Sequence, residues 1–179
     1  MFIGLHELEV RAIHFDVDVP AGEIDFVQNI TQSTTLHAQG SAELLNHSLG
    51  EVRIHGNLSV TLAGACDRCL EQTTYPVQRA FDLVYLPQAQ ASQGGEDEID
   101  EAGIEVGFYS GAGLELNDVL REVVLLALPM QMTCSDECKG ICPSCGQNRN
   151  LRDCGCQAEA VDDRWSKLRT FRVENGPAH

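Results

Sequence analysis

EVRIHGNLSVTL, residues 51–62, sets Val52, Ile54, Leu58, Val60 and Leu62 in alternation with Glu51, Arg53, His55, Asn57, Ser59 and Thr61. A period of two is that of a strand with one face buried and one face wet. The fold is therefore expected to rest on a β-sheet that is apolar on one side. The even phase runs on through Gly64 to Cys66, and a glycine there predicts a bulge or bend just before the first cysteine.

The neighbouring segments extend the sheet. Leu36, Ala38, Gly40, Ala42 and Leu44 alternate with polar residues, and the turn-like NHSLG at 46–50 predicts that they form an antiparallel hairpin with 51–62. After CDRC at 66–69 the inward phase passes to Tyr75, Val77, Phe81, Leu83 and Tyr85, a third strand. Leu8, Val10 and Ala12 give way to Ile13, Phe15, Val17 and Val19; this slip of one residue predicts a bulge or a break between two short strands. Residues 87–103, PQAQASQGGEDEIDEAG, have no apolar period and read as a mobile acidic loop. IEVGFY at 104–109 reads as a short strand. Asn117 is placed to cap a helix running to about 128, with Leu120, Val123, Val124 and Ala127 on one face and Pro129 as its stop. The expected class is α+β: a mostly antiparallel β-sheet with one main helix and a small C-terminal zinc-binding module.

Charge divides the chain. Residues 1–133 hold 5 of the 12 basic and 20 of the 27 acidic residues, whereas residues 134–179 hold 7 of each. The expected division is an acidic β-rich body over 1–133 and a cysteine-rich module over 134–179, closed by a short helix docking through Trp165, Leu168 and Phe171. A body with a net charge of −15 repels phosphate, so extensive RNA binding by it is not expected.

MFIGLHELEV lacks the basic residues and apolar run of a secretory leader. The apolar run VVLLALPM at 123–130 is far short of the roughly 20 residues of a membrane helix. A cytoplasmic protein with no membrane segment is the expectation. In that reducing compartment, closely spaced thiols act more often as metal ligands than as disulfides.

Eight cysteines follow that logic. CPSC at 142–145 is a metal turn: Pro143 fixes the backbone after the first ligand, and Gly146 allows the positive φ that aims amide hydrogens at sulfur. Cys154 and Cys156 are separated by Gly155 alone, while Cys134 and Cys138 lie one helical turn apart. Cys66 and Cys69 repeat the two-residue spacing. The expectation is zinc on Cys142, Cys145, Cys154 and Cys156, with Cys134 and Cys138 joining Cys66 and Cys69. One zinc with two free pairs is the alternative.

The six histidines are scattered, with no HExxH, and no hydrolytic metal site is expected. Thiol redox chemistry at Cys66 and Cys69 is the rival reading. There the first cysteine opens a helix, whereas residues after Cys69 read as strand, and Asp67 disfavours a thiolate. A non-enzymatic role is expected.

In this order the pieces CDRCL, an acidic stretch, NDVLREVVLLALP, CKGICPSCGQN, CGC and DDRWSKLRTF resemble the YceD-like family, the large ribosomal RNA subunit accumulation proteins, over roughly residues 30–171. The resemblance implies a ribosome-assembly factor and carries over Cys66 and Cys69 as the shared pair. The six later cysteines are similar to a metal-binding tail found in one version of the family. Charge and resemblance together imply that the body binds a basic ribosomal protein or an assembly factor. Any weak ribosomal RNA contact falls to Arg149, Arg152, Arg164, Lys167, Arg169 and Arg172 in the tail.

Overall fold

A computed structural model describes residues 1–26, 29–45, 50–88 and 105–156. The elements in chain order are β1 (Phe2–Gly4), α1 (Leu5–Leu8), β2 (Ile13–Val19), β3 (Ile30–Gln32), β4 (Leu36–Leu44), β5 (Val52–Ala65), β6 (Gln72–Pro87), β7 (Glu105–Tyr109), β8 (Gly113–Glu115) and α2 (Leu116–Ala127).

The long hairpin of β5 and β6 dominates, paired without interruption from Val52↔Tyr85 to Ala65↔Gln72. Even residues of β5 and Val77, Phe81, Leu83 and Tyr85 of β6 face the core, as the alternation requires. The sheet order is β2-β4-β5-β6-β7, with β3 also on β5; every pair is antiparallel except β6 with β7. β1 pairs with β8 in a separate two-stranded sheet. Helix α2 lays Leu116, Val119, Leu120, Val123 and Val124 into the core. Each such burial contributes roughly 1.5–3 kcal/mol.

Several expectations change in detail. No strand covers Val10 or Ala12: residues 5–8 form the short helix α1, which buries Leu8 and absorbs the phase slip. Gly64 marks no bulge. It sits in unbroken β5, where a side-chain carbon would come within 3.3 Å of Asn29 O and of the flexible Met132 Cε, so glycine there gives close packing rather than a bend. Asn117 lies inside α2, whose cap position is Glu115, without a capping side-chain bond. The β4–β5 hairpin forms as expected, with 46–49 of its connection outside the described residues. The acidic stretch falls outside them over 89–104.

Beyond α2 the chain passes Pro129 and returns to the tip of the β5–β6 hairpin. There the Asp67 N–H donates to Met132 O at 2.7 Å, and the Met132 N–H donates to Asp67 Oδ2 at 2.6 Å. This reciprocal pair brings the second cysteine segment onto the first.

Candidate metal centres

The connection from β5 to β6 is the loop 66–71. Its Cys66 N–H donates to Glu71 O at 2.9 Å, and its Leu70 N–H to Cys66 O at 2.8 Å. The loop at 142–147 repeats this: the Cys142 N–H donates to Gln147 O at 2.8 Å, and the Gly146 N–H to Cys142 O at 2.8 Å. Both turns reverse through a left-handed residue at the fifth position, Leu70 with φ 62° and Gly146 with φ 72°. CDRC and CPSC are therefore the same backbone device.

Each turn gathers a second pair of thiols. Cys66, Cys69, Cys134 and Cys138 form one cluster, and Cys142, Cys145, Cys154 and Cys156 form another; within each, all sulfurs lie within 4.8 Å of one another. In the first, Cys66 Sγ is 3.8 Å from Cys138 Sγ, and Cys69 Sγ is 3.7 Å from Cys134 Sγ. Sulfurs about 2.3 Å from a tetrahedral zinc are roughly 3.8 Å apart, whereas bonded sulfurs are about 2.05 Å apart. The donor set and its spacing thus fit a tetrahedral thiolate site. Either cluster could hold a metal ion.

Hydrogen bonds to sulfur and backbone hold the first cluster in shape. The Cys134 N–H and Asn150 Nδ2 donate to Cys66 Sγ and Cys138 Sγ, each at 3.3 Å. Arg68 Nη1 donates to the carbonyls of Asp136 and Cys138 at 3.2 and 3.3 Å, and Arg68 O accepts the Ile141 N–H at 2.9 Å. Asn148 Nδ2 donates to Glu71 Oε1 at 3.2 Å, which ties the second turn to the first. Such outer partners orient ligands and tune their affinity. Cys66, Cys69 and Cys138 are buried, whereas in the second cluster Cys145 and Cys156 are exposed.

The protonation pattern repeats as well. Burial pushes the Cys66 thiol up, but the backbone N–H groups of Cys69, Cys134 and Arg68 more than offset this and bring it to about 6. The N–H groups of Cys145 and Ser144, with the Cys154 thiol, bring Cys142 to about 6. Cys134 is pushed up to about 12, chiefly by hydrogen bonding to Cys138 and Cys69, and Cys156 to about 12, chiefly by Cys145 and Cys154. Asn150 is the main cause of a lowered Cys138. Crowded thiols share protons in this way when no cation is among them, and a bound dication favours the thiolate at every one.

All eight cysteines lie within residues 54–172, the stretch that matches the family described as Large ribosomal RNA subunit accumulation protein YceD. The chain belongs to the YceD family. A Mycobacterium tuberculosis protein described as uncharacterized is 30% identical over 118 residues, 65% of this chain and 54% of its own length. A Mycobacterium bovis protein, also described as uncharacterized, shows the same figures. Large ribosomal RNA subunit accumulation protein YCED homolog 1, chloroplastic, of Arabidopsis thaliana is 22% identical over 149 residues, 69% of this chain and 45% of its own. The chain spans about half the length of these curated relatives. No solved structure matches it.

In this YceD family member the polar residues that shape the centres are Asp67, Arg68, Asn148 and Asn150, which spacing arguments pass over. Their signal is weak but physical: Asp and Asn in cysteine turns serve local backbone hydrogen bonds. Arg149 and Arg152 are exposed beside the second cluster. Arg164, Lys167, Arg169 and Arg172, and the helix expected to dock through Trp165, Leu168 and Phe171, lie outside the described residues. No helix of the structure is long and apolar enough to cross a membrane.

Proposed function

We propose that this chain is a non-enzymatic, cytoplasmic ribosome-assembly factor that supports accumulation of the large-subunit ribosomal RNA by binding a basic ribosomal protein or another assembly factor. The family match over all eight cysteines is the observation that carries this reading. The acidic body supplies the attraction: a ribosomal protein away from its RNA presents unneutralised positive charge, and phosphate competes for it on release. The cysteines serve as a staple. Zinc is the ion assigned to both clusters, because four soft donors with no place left for water suit a structural zinc. Bound there, it would supply folding energy to a segment, 134–156, with few large apolar residues apart from Ile141 and Leu151. Any RNA contact is weak and falls to the tail, at Arg149 and Arg152 and the four basic residues beyond them.

Thiol redox by Cys66 and Cys69 is the second reading. Two observations disfavour it: no helix begins at Cys66, and each of the two sulfurs contacts a thiol from the 134–138 segment. Depleting the chain from its own cell and measuring mature large-subunit against small-subunit ribosomal RNA tests the proposal. The ratio should fall and recover with the wild-type chain; an unchanged ratio contradicts it.

A further inference from the structure

At the end of the sheet away from the cysteine turns, a groove of about 380 Å3 opens between α2, β8 and β7. Phe2, Phe108 and Val119 are among its apolar lining, and Phe2 and Phe108 are 52% and 53% exposed. Glu115, Asp118 and Glu122 also line it. Asp118 and Glu122 lie four residues apart on one face of α2, and Glu115 at the cap position of the helix adds a third carboxylate to the same groove wall. Like charges so placed repel. The helix dipole favours acids at Glu115 and Asp118, but Glu122 lies a turn further in and gains nothing from it.

These carboxylates are weakly compensated. Glu115 Oε2 is 3.8 Å from the N-terminal ammonium. Glu122 Oε2 accepts the Tyr85 hydroxyl at 2.7 Å. Asp118 has no hydrogen bond or ion pair among the described residues. Arg121, the basic residue of α2, turns away to the carbonyls of Asp25 and Phe26. Beside the groove, β7 pairs only with β6 among the described residues, and no described strand covers its other edge.

We infer that this groove and that edge of β7 bind an extended basic segment of another protein, in which arginine or lysine alternates with aliphatic residues. This rests on the assembly-factor reading and gives it a place on the molecule. Such a segment adds as a strand to β7, and its alternate side chains enter the groove. Their stems cover the aromatic rings while their cationic heads meet the three carboxylates. RNA and anionic lipid are repelled by the same carboxylates, and a second copy of a chain with net charge −15 is repelled too.

The test is fluorescence anisotropy of the full chain with a labelled ten-residue peptide alternating arginine and valine. Wild type binds it, and Glu115→Gln/Asp118→Asn/Glu122→Gln weakens binding about tenfold or more. Gln at 122 keeps an acceptor for Tyr85, and all three positions are exposed, so folding is preserved. Phe108→Ala also weakens binding, while Glu7→Gln/Glu9→Gln/Asp16→Asn, which removes the same charge elsewhere, changes it less than about twofold. Equal losses from the two triple variants, or equal binding of a glutamate–valine peptide or a ten-nucleotide RNA, overturns the inference. A tenfold gain on neutralising Arg164, Lys167, Arg169 and Arg172 also overturns it, by making this chain's own tail the occupant. If wild type binds and the groove variant binds equally well, the groove fails while the assembly-factor reading stands on the ribosomal RNA measurement.

Discussion

Leu70 and Gly146 hold the same place in two turns with matching backbone hydrogen bonds, each four residues after the first cysteine and each with positive φ, 62° and 72°. Glycine adopts that region freely, whereas a branched side chain costs about 1–2 kcal/mol. Leu70 is also 63% exposed, so no burial offsets the strain. Leu70→Asn should therefore stabilise the protein by about 0.5–1 kcal/mol, since asparagine tolerates this conformation, and Gly146→Ala should destabilise it by about 1 kcal/mol. Chemical denaturation of metal-loaded protein measures both, and a destabilised Leu70→Asn variant contradicts the equivalence of the turns.

Asp67 is the hinge pin between the hairpin and the returning chain. Asp67→Ala removes the acceptor of the Met132 N–H and should cost about 1 kcal/mol. It should also weaken metal retention by the first cluster more than by the second. Chelator competition on the variant reads this, and equal weakening of both clusters counts against it.

The β5 alternation made the sheet, its wet face and the inward side of β6 legible, because a period of two admits few other solutions. Other features depended on contacts far apart in sequence. β3 is three residues long and shows no period of its own. The parallel sense of β7 depends on how the chain returns after residue 88. Spacing pointed to the thiols as candidate metal donors and favoured the grouping seen in the two clusters, with one zinc and two free pairs as the alternative; what brings Cys134 and Cys138 onto the CDRC turn is a contact between Asp67 and Met132, which spacing does not show. Leu70 gave no hint of its conformation, because nothing in a leucine announces a left-handed turn.

Acid should release metal. Cys66 and Cys142, lowered from 9.0 to about 6, stabilise the folded metal-free chain fully above pH 9, and that contribution is lost as pH falls from about 9 to about 6. Cys134 and Cys156, raised to about 12, act oppositely: the stability they add below pH 9 is lost as pH rises toward 12. Below about pH 6 Cys66 and Cys142 are protonated in the metal-free protein, so a metal ion must displace their protons and apparent metal affinity should drop by about tenfold or more per pH unit. A colorimetric chelator titrated from pH 8 to pH 5 follows this, and retention independent of pH contradicts it.

Core packing makes a separate demand. Leu120 of α2 is fully buried against the sheet, so Leu120→Ala should cost about 2–5 kcal/mol and lower the melting temperature without changing metal content. Loss of metal in that variant at a temperature where it remains folded would contradict the independence of the helix packing and the cysteine turns.

The claim that two separate thiolate clusters each hold a zinc is tested most directly by native mass spectrometry of freshly prepared reduced protein. The wild-type chain should carry two zinc ions, Cys66→Ser and Cys142→Ser one each, and the double variant none. A single ion in the wild type, or both ions lost from either single variant, would contradict it.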